Sequence, residues 1–235
     1  MNGVGIIGEP YPYLLQNDGW VVALLVYCFL STGFVLAWEK AQIFYSIRKL
    51  FFKNELEYLF PKQSIVDFYC RFLLILQTCI LIAILVWAYQ VNVLEYDSIP
   101  AHTPLWLGLY CVVAILFCVV KWCLYKFINW IFFDKKRSKV WIENYFFIFA
   151  IFGMVLLPVT LCVVYCNLPF QLCKIIPLFL LFLALLILIY KGFCIFFSHL
   201  HGVFYLFLYF CTLEIVPLSI LAGLLALTGN YLTVN

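Results

Sequence analysis

Six runs of about 20 mostly apolar residues constrain this chain more than any other feature, because 20 residues of α-helix match the ~30 Å hydrocarbon layer of a bilayer. The runs extend from Trp20 to Trp38, Phe68 to Tyr89, Pro104 to Trp122, Tyr145 to Tyr165, Ile175 to Phe197 and Val203 to Leu227. Only 11% of the 235 residues are charged and 67% are hydrophobic, with a mean hydropathy of +1.10. A soluble domain carries about 25% charged residues, so this composition leaves too little polar surface to cover a water-soluble globule. The chain must meet lipid. The expected fold is all-α: six transmembrane helices over residues 20–228, with short tails at 1–19 and 229–235.

Charge orients the spans. All but one of the fourteen Lys and Arg, the exception being Lys174, fall in or beside the segments joining spans one to two, three to four and five to six. Positive residues accumulate on the cytoplasmic side, so both termini are expected to be periplasmic. The net charge of +3 reflects this asymmetry and gives no reason to expect nucleic acid. The first 20 residues contain no Lys or Arg, so the first span reads as a retained anchor rather than a cleaved signal peptide. Trp20, Trp38, Trp87, Tyr89, Trp106, Trp141 and Tyr145 stand near the span ends, where amphipathic rings favour the headgroup level.

Two charged segments flank the spans. Residues 41–60 place Ile43, Ile47, Leu50 and Phe51 on one helical face and Gln42, Ser46, Arg48, Lys49 and Lys53 on the other. That pattern predicts an amphipathic helix lying at the cytoplasmic interface. Residues 123–141 prolong span three to a basic turn, Lys135, Lys136 and Arg137, read as an orientation signal and an anionic-lipid anchor. Arg71 and Lys191 lie near the cytoplasmic ends of spans two and five and are expected to snorkel to the headgroups. Glu143 and Asn144 open span four, where an acid suits a helix N-terminus.

Glu214 is the candidate functional residue. It lies about 11 residues into the last span, roughly 16 Å from the cytoplasmic edge, where an ionised, unpaired carboxylate costs several kcal/mol. Either it is protonated or it faces polar partners. Ser31 and Thr32 in span one, Gln77 and Thr78 in span two and Thr212 on its own helix stand at similar depth. Pro217 follows nearby and frees the carbonyl of Leu213. A structural hydrogen bond in the bundle and a proton-coupling or substrate-binding acid are both open at this point.

Other chemistry finds little support. No catalytic residues, cofactor or metal are expected: there is no HExxH, GxSxG, phosphate-binding loop or paired carboxylate. His199 and His201 share a short turn in a spacing that suits neither a metal nor a haem, and His102 lies on the opposite side. The eleven cysteines contain no CxxC. Cys166 and Cys173 flank a short outer loop and could pair in an oxidising compartment, whereas Cys70, Cys79, Cys111 and Cys118 are expected simply to pack.

The segments "YKFINWIFFDKKRSKVWIENYFFIFAIFGMVLLP" and "YLFLYFCTLEIVPLSIL" resemble a family of functionally uncharacterised polytopic inner-membrane proteins of Gram-negative bacteria, described as a domain of unknown function. The resemblance runs from about Glu39 to Leu225. It is carried by Asn144, Gly153, Leu157, Pro158 and the run Thr212 to Pro217. It implies a bacterial cytoplasmic-membrane protein and supplies no substrate. Two functions follow as expectations. One is a non-enzymatic subunit of a membrane complex in envelope biogenesis or secretion, whose partners are the lipid bilayer and other membrane or envelope proteins. The other is a small proton-coupled transporter that uses Glu214. A lipid-modifying enzyme ranks third, because several acids or histidines should then gather near one face.

Overall fold

The computed structural model describes residues 15–51, 65–94, 103–132, 135–166, 170–196, 217–219 and 223. Five long helices account for nearly all of them: α1 (Gly19–Phe51), α2 (Ile65–Leu94), α3 (Thr103–Phe132), α4 (Lys135–Tyr165) and α5 (Phe170–Phe196). Each contains a stretch of 20 to 27 residues long and apolar enough to cross a membrane. The protein is a multi-pass, all-helical membrane protein. The sixth expected span lies outside the described residues, apart from residues 217–219 and 223, which are helical.

A single turn of 3-10 helix, Leu15–Asn17, leads into α1. Asp18 caps it: its Oδ1 accepts the backbone N–H of Trp20 at 3.0 Å and its carbonyl accepts that of Val22 at 3.1 Å. Such a cap satisfies backbone donors that have no partner within the helix. α1 then continues unbroken for 33 residues. The first part of the amphipathic segment expected at 41–60 is therefore a direct extension of span one, and residues 52–60 lie outside the described residues. The connecting sequence, Glu39-Lys40-Ala41-Gln42, contains only good helix formers and nothing that would end a helix. Similarly, Lys135, Lys136 and Arg137 belong to the first turn of α4 rather than to a tail of α3.

α2 and α4 form the centre of the bundle. They share the most extensive helix–helix interface, with α1 and α3 packed mainly on α2 and α5 on α4. Within the membrane-crossing stretches, 56% of α2 and 50% of α4 is buried, against 28% of α1, 22% of α3 and 6% of α5. The inward faces follow helical spacing of three and four. On α2 the stripe is Cys70, Leu74, Gln77, Leu81, Ile84, Ala88 and Val91, all buried. On α4 it is Trp141, Tyr145, Ile148, Phe152, Leu156 and Thr160.

The core is layered. Where α2 gives way to α3, Trp87 packs against Tyr110 with Leu107, Val91, Val21 and Leu157 around them. At the opposite end, Tyr125, Trp141, Tyr145, Ile148 and Leu188 join α3, α4 and α5. Trp87, Trp141 and Tyr145 are thus core residues and not members of an aromatic belt, whereas Trp20 and Trp38 face outward. Pro158 and Pro177 both lie inside helices, α4 and α5, that continue past them.

Candidate functional site

Midway along α2, one polar side chain occupies the inward stripe. Gln77 is fully buried, about nine residues and roughly 14 Å along the helix from Phe68. An amide there must find partners, because hydrocarbon offers none. It finds them on α1. The Ser31 hydroxyl donates to Gln77 Oε1 at 2.7 Å. Thr32 Oγ1 lies 3.0 Å from the same oxygen and 2.7 Å from Gln77 Nε2, close enough to donate to one or accept from the other. The two hydroxyls also lie 2.9 Å from the carbonyl of Cys28, one turn back on α1. Of the residues read as lying at similar depth, Ser31, Thr32 and Gln77 are brought together by hydrogen bonds.

The next residue, Thr78, faces α4. Its hydroxyl donates to the Leu74 carbonyl at 2.7 Å, within its own helix, and so needs no partner from α4. The α4 residue opposite is Gly153. A Cβ placed there would overlap the Thr78 hydroxyl and come within 2.9 Å of its Cβ and 3.3 Å of its Cα. Only glycine lets these two central helices approach so closely, a use of small residues common between membrane helices. Gln77 therefore ties α2 to α1 while Thr78 and Gly153 set the spacing of α2 from α4. This layer fixes three helices at one depth.

The remaining candidates are dispersed. Glu214 and Thr212 lie outside the described residues, as do His102, His199 and His201. Pro217 begins the short described helical stretch 217–219 and is half-buried. Arg71 lies over the ring of Phe147 on α4, its guanidinium carbon 5.7 Å from the centroid. Lys191 is half-buried on α5. Lys135, Lys136 and Arg137 are placed by their backbone in the first turn of α4, where cations oppose the helix dipole. Glu143 sits two turns into α4, 3.9 Å from Lys139, and Asn144 donates to the carbonyl of Val140 at 2.9 Å. Cys166 and Cys173 are not bonded to one another. Among the described residues, no group of three or more His, Cys, Asp or Glu is placed to hold a metal ion.

Three further features were not anticipated from the sequence. Lys121, which the sequence places beside a connecting segment, is 5% exposed. Its ammonium lies 5.2 Å from the ring centre of Phe117 and 5.8 Å from that of Tyr145. The signal was present: Leu107, Tyr110, Ala114, Cys118, Lys121 and Tyr125 form the inward stripe of α3 at spacings of three and four. The second feature is Gln90, buried near the end of α2, whose amide oxygen accepts the hydroxyl of Tyr110. The third is the approach of Cys79 on α2 to Cys118 on α3, with 3.6 Å between sulfurs.

No curated protein and no solved structure matches the chain. A family model does match, over residues 21–225, which takes in α2 to α5, all but the first two residues of α1, and the polar layer of Ser31, Thr32 and Gln77. The chain thus belongs to the family described as domain of unknown function DUF4271.

Proposed function

We propose that this protein is a non-enzymatic, partner-binding component of a membrane complex in the bacterial cytoplasmic membrane, serving envelope biogenesis or secretion. In this reading it has six spans and periplasmic termini. The orientation rests on the segregation of Lys and Arg to one set of connecting segments.

The observation that carries the proposal is the closure of the polar layer. A transport pathway must present polar groups to a solute or to water, and intramembrane polar residues that line one stand open to it. Gln77 is instead fully buried, with both ends of its amide engaged by Ser31 and Thr32. The groups are spent on holding α1 to α2. A bundle whose polar layer, among the described residues, serves its own assembly suits a subunit that presents a surface better than one that moves a solute.

Affinity purification of the tagged protein from native membranes, in two mild detergents, tests this. The expected result is a second protein at fixed stoichiometry in both. Recovery of the chain alone, together with a proton flux in liposomes that Glu214→Gln abolishes, would overturn it in favour of transport.

A further inference from the structure

α2 and α3 meet along their apolar stripes, and near the middle of that contact the sulfurs of Cys79 and Cys118 stand 3.6 Å apart, within S–H···S range. A disulfide needs about 2.05 Å, so closure requires a further ~1.5 Å, the scale of a side-chain adjustment. Cys79 is buried behind its partner. Cys118 is only partly covered, and its neighbours Ile115, Leu116, Val119 and Val120 face outward. The approach to the pair is therefore through lipid, from the outer face of α3. Along the apolar stretch, Cys118 lies about nine residues, roughly 14 Å, from Phe127 and farther from Thr103. Neither aqueous compartment reaches it easily.

One turn beyond Cys118, on the same stripe, is Lys121. Residues three apart on a helix are neighbours, so Lys121 stands beside Cys118 on that face of α3. The rings of Phe117 and Tyr145 hold that ammonium inside the bundle. Buried thiols in purely apolar surroundings are inert, whereas a cation beside a partly accessible thiol is the setting in which cysteines react. Cys118 has that setting and an adjacent thiol able to resolve it.

We propose that Cys79 and Cys118 are a redox-active dithiol within the membrane, which closes to a disulfide at the expense of a lipid-dissolved quinone. Both S–H bonds break and one S–S bond forms. The two electrons and two protons pass to the quinone, which leaves as the quinol. A quinone is the class of oxidant that accepts this full complement and dissolves where Cys118 is open. Lys121, one turn away on the same face of α3, is a positioning residue for the attacking Cys118. The product is a covalent staple between α2 and α3 in place of a packing contact.

The test uses the full chain in lipid nanodiscs, exposed separately to a decyl-benzoquinone and to oxidised glutathione. The protein is then denatured, alkylated and mapped by mass spectrometry without reduction. Quinone is expected to yield the peptide pair joined through Cys79 and Cys118, lighter by two hydrogens, with one quinol per disulfide. Cys118→Ser should abolish the link. Both thiols remaining alkylatable after quinone would overturn the proposal. Equally fast linkage by glutathione would overturn the assignment of a membrane oxidant. Lys121→Met should slow linkage several-fold and Lys121→Arg should restore the rate; equal rates in all three proteins would remove the lysine from the account. The wild-type result stands by itself if a variant does not fold.

Discussion

At the scale of single residues, Gln77 and Gly153 hold the most testable consequences. Gln77→Leu keeps the volume and removes the amide, leaving Ser31 and Thr32 their bonds to the Cys28 carbonyl. Because those hydroxyls are not stranded, the cost should be modest. Side-chain hydrogen bonds between membrane helices contribute about 0.6 kcal/mol on average and up to about 2 kcal/mol. Unfolding in mixed micelles should show a lower midpoint without loss of accumulation. Gly153→Leu should do far more, since even a Cβ overlaps Thr78. The account predicts that this variant fails to accumulate in membranes, and that Gly153→Ala recovers part of its loss when combined with Thr78→Gly. Glu214→Gln should leave expression and partner binding unchanged, because an amide still donates and accepts; abolished function with intact expression would mark the acid as a proton carrier.

The residue scale also separates what the sequence made legible from what it hid. Depth alone groups Ser31, Thr32, Gln77 and Thr78 in the sequence, because a polar group in the middle of a span has few possible partners and those must lie at the same level. Lys121 lies near a span end, where a cation normally marks the cytoplasmic interface, and its place on the inward stripe of α3 is the local sign of its burial. Its burial depends on Tyr145, contributed by another helix. Gly153 was visible as part of a resemblance, but its task depends on Thr78 crossing at that level. Neither long-range contact has a local signature.

At the scale of elements, length and hydropathy were enough to find the five described helices, because a span must satisfy its backbone internally and must be apolar. They did not rank the helices. α5 and α2 both read as apolar all round, yet the membrane-crossing part of one is 6% buried and that of the other 56%. A lipid-facing residue and a core residue are equally hydrophobic, so composition cannot distinguish them. Helix ends were harder still. Nothing between Trp38 and Phe51 stops α1, and the structure continues it as one helix. Its start is well specified by the Asp18 cap. Asp18→Ala should destabilise this helix by about 1 kcal/mol, visible as faster amide exchange at residues 19–22 with the remaining helices unaffected. Gly19→Ala, at a position with open space around it, should be tolerated.

At the scale of the whole molecule, the bundle has two central helices, a closed polar layer and a lightly covered α5. The orientation drawn from charge predicts that an alkaline-phosphatase fusion after Ser98 is active and that a fluorescent-protein fusion after Lys62 is fluorescent. The opposite pair would reverse the topology. The central claim is that this protein works in company rather than as a carrier. It is tested most directly by extracting the tagged protein into polymer nanodiscs without detergent and measuring the composition and stoichiometry of the particles. One chain has a mass of 27.5 kDa. The account predicts particles that contain this chain and a second protein in a fixed ratio, unchanged by Glu214→Gln. Particles that contain only this chain would contradict it.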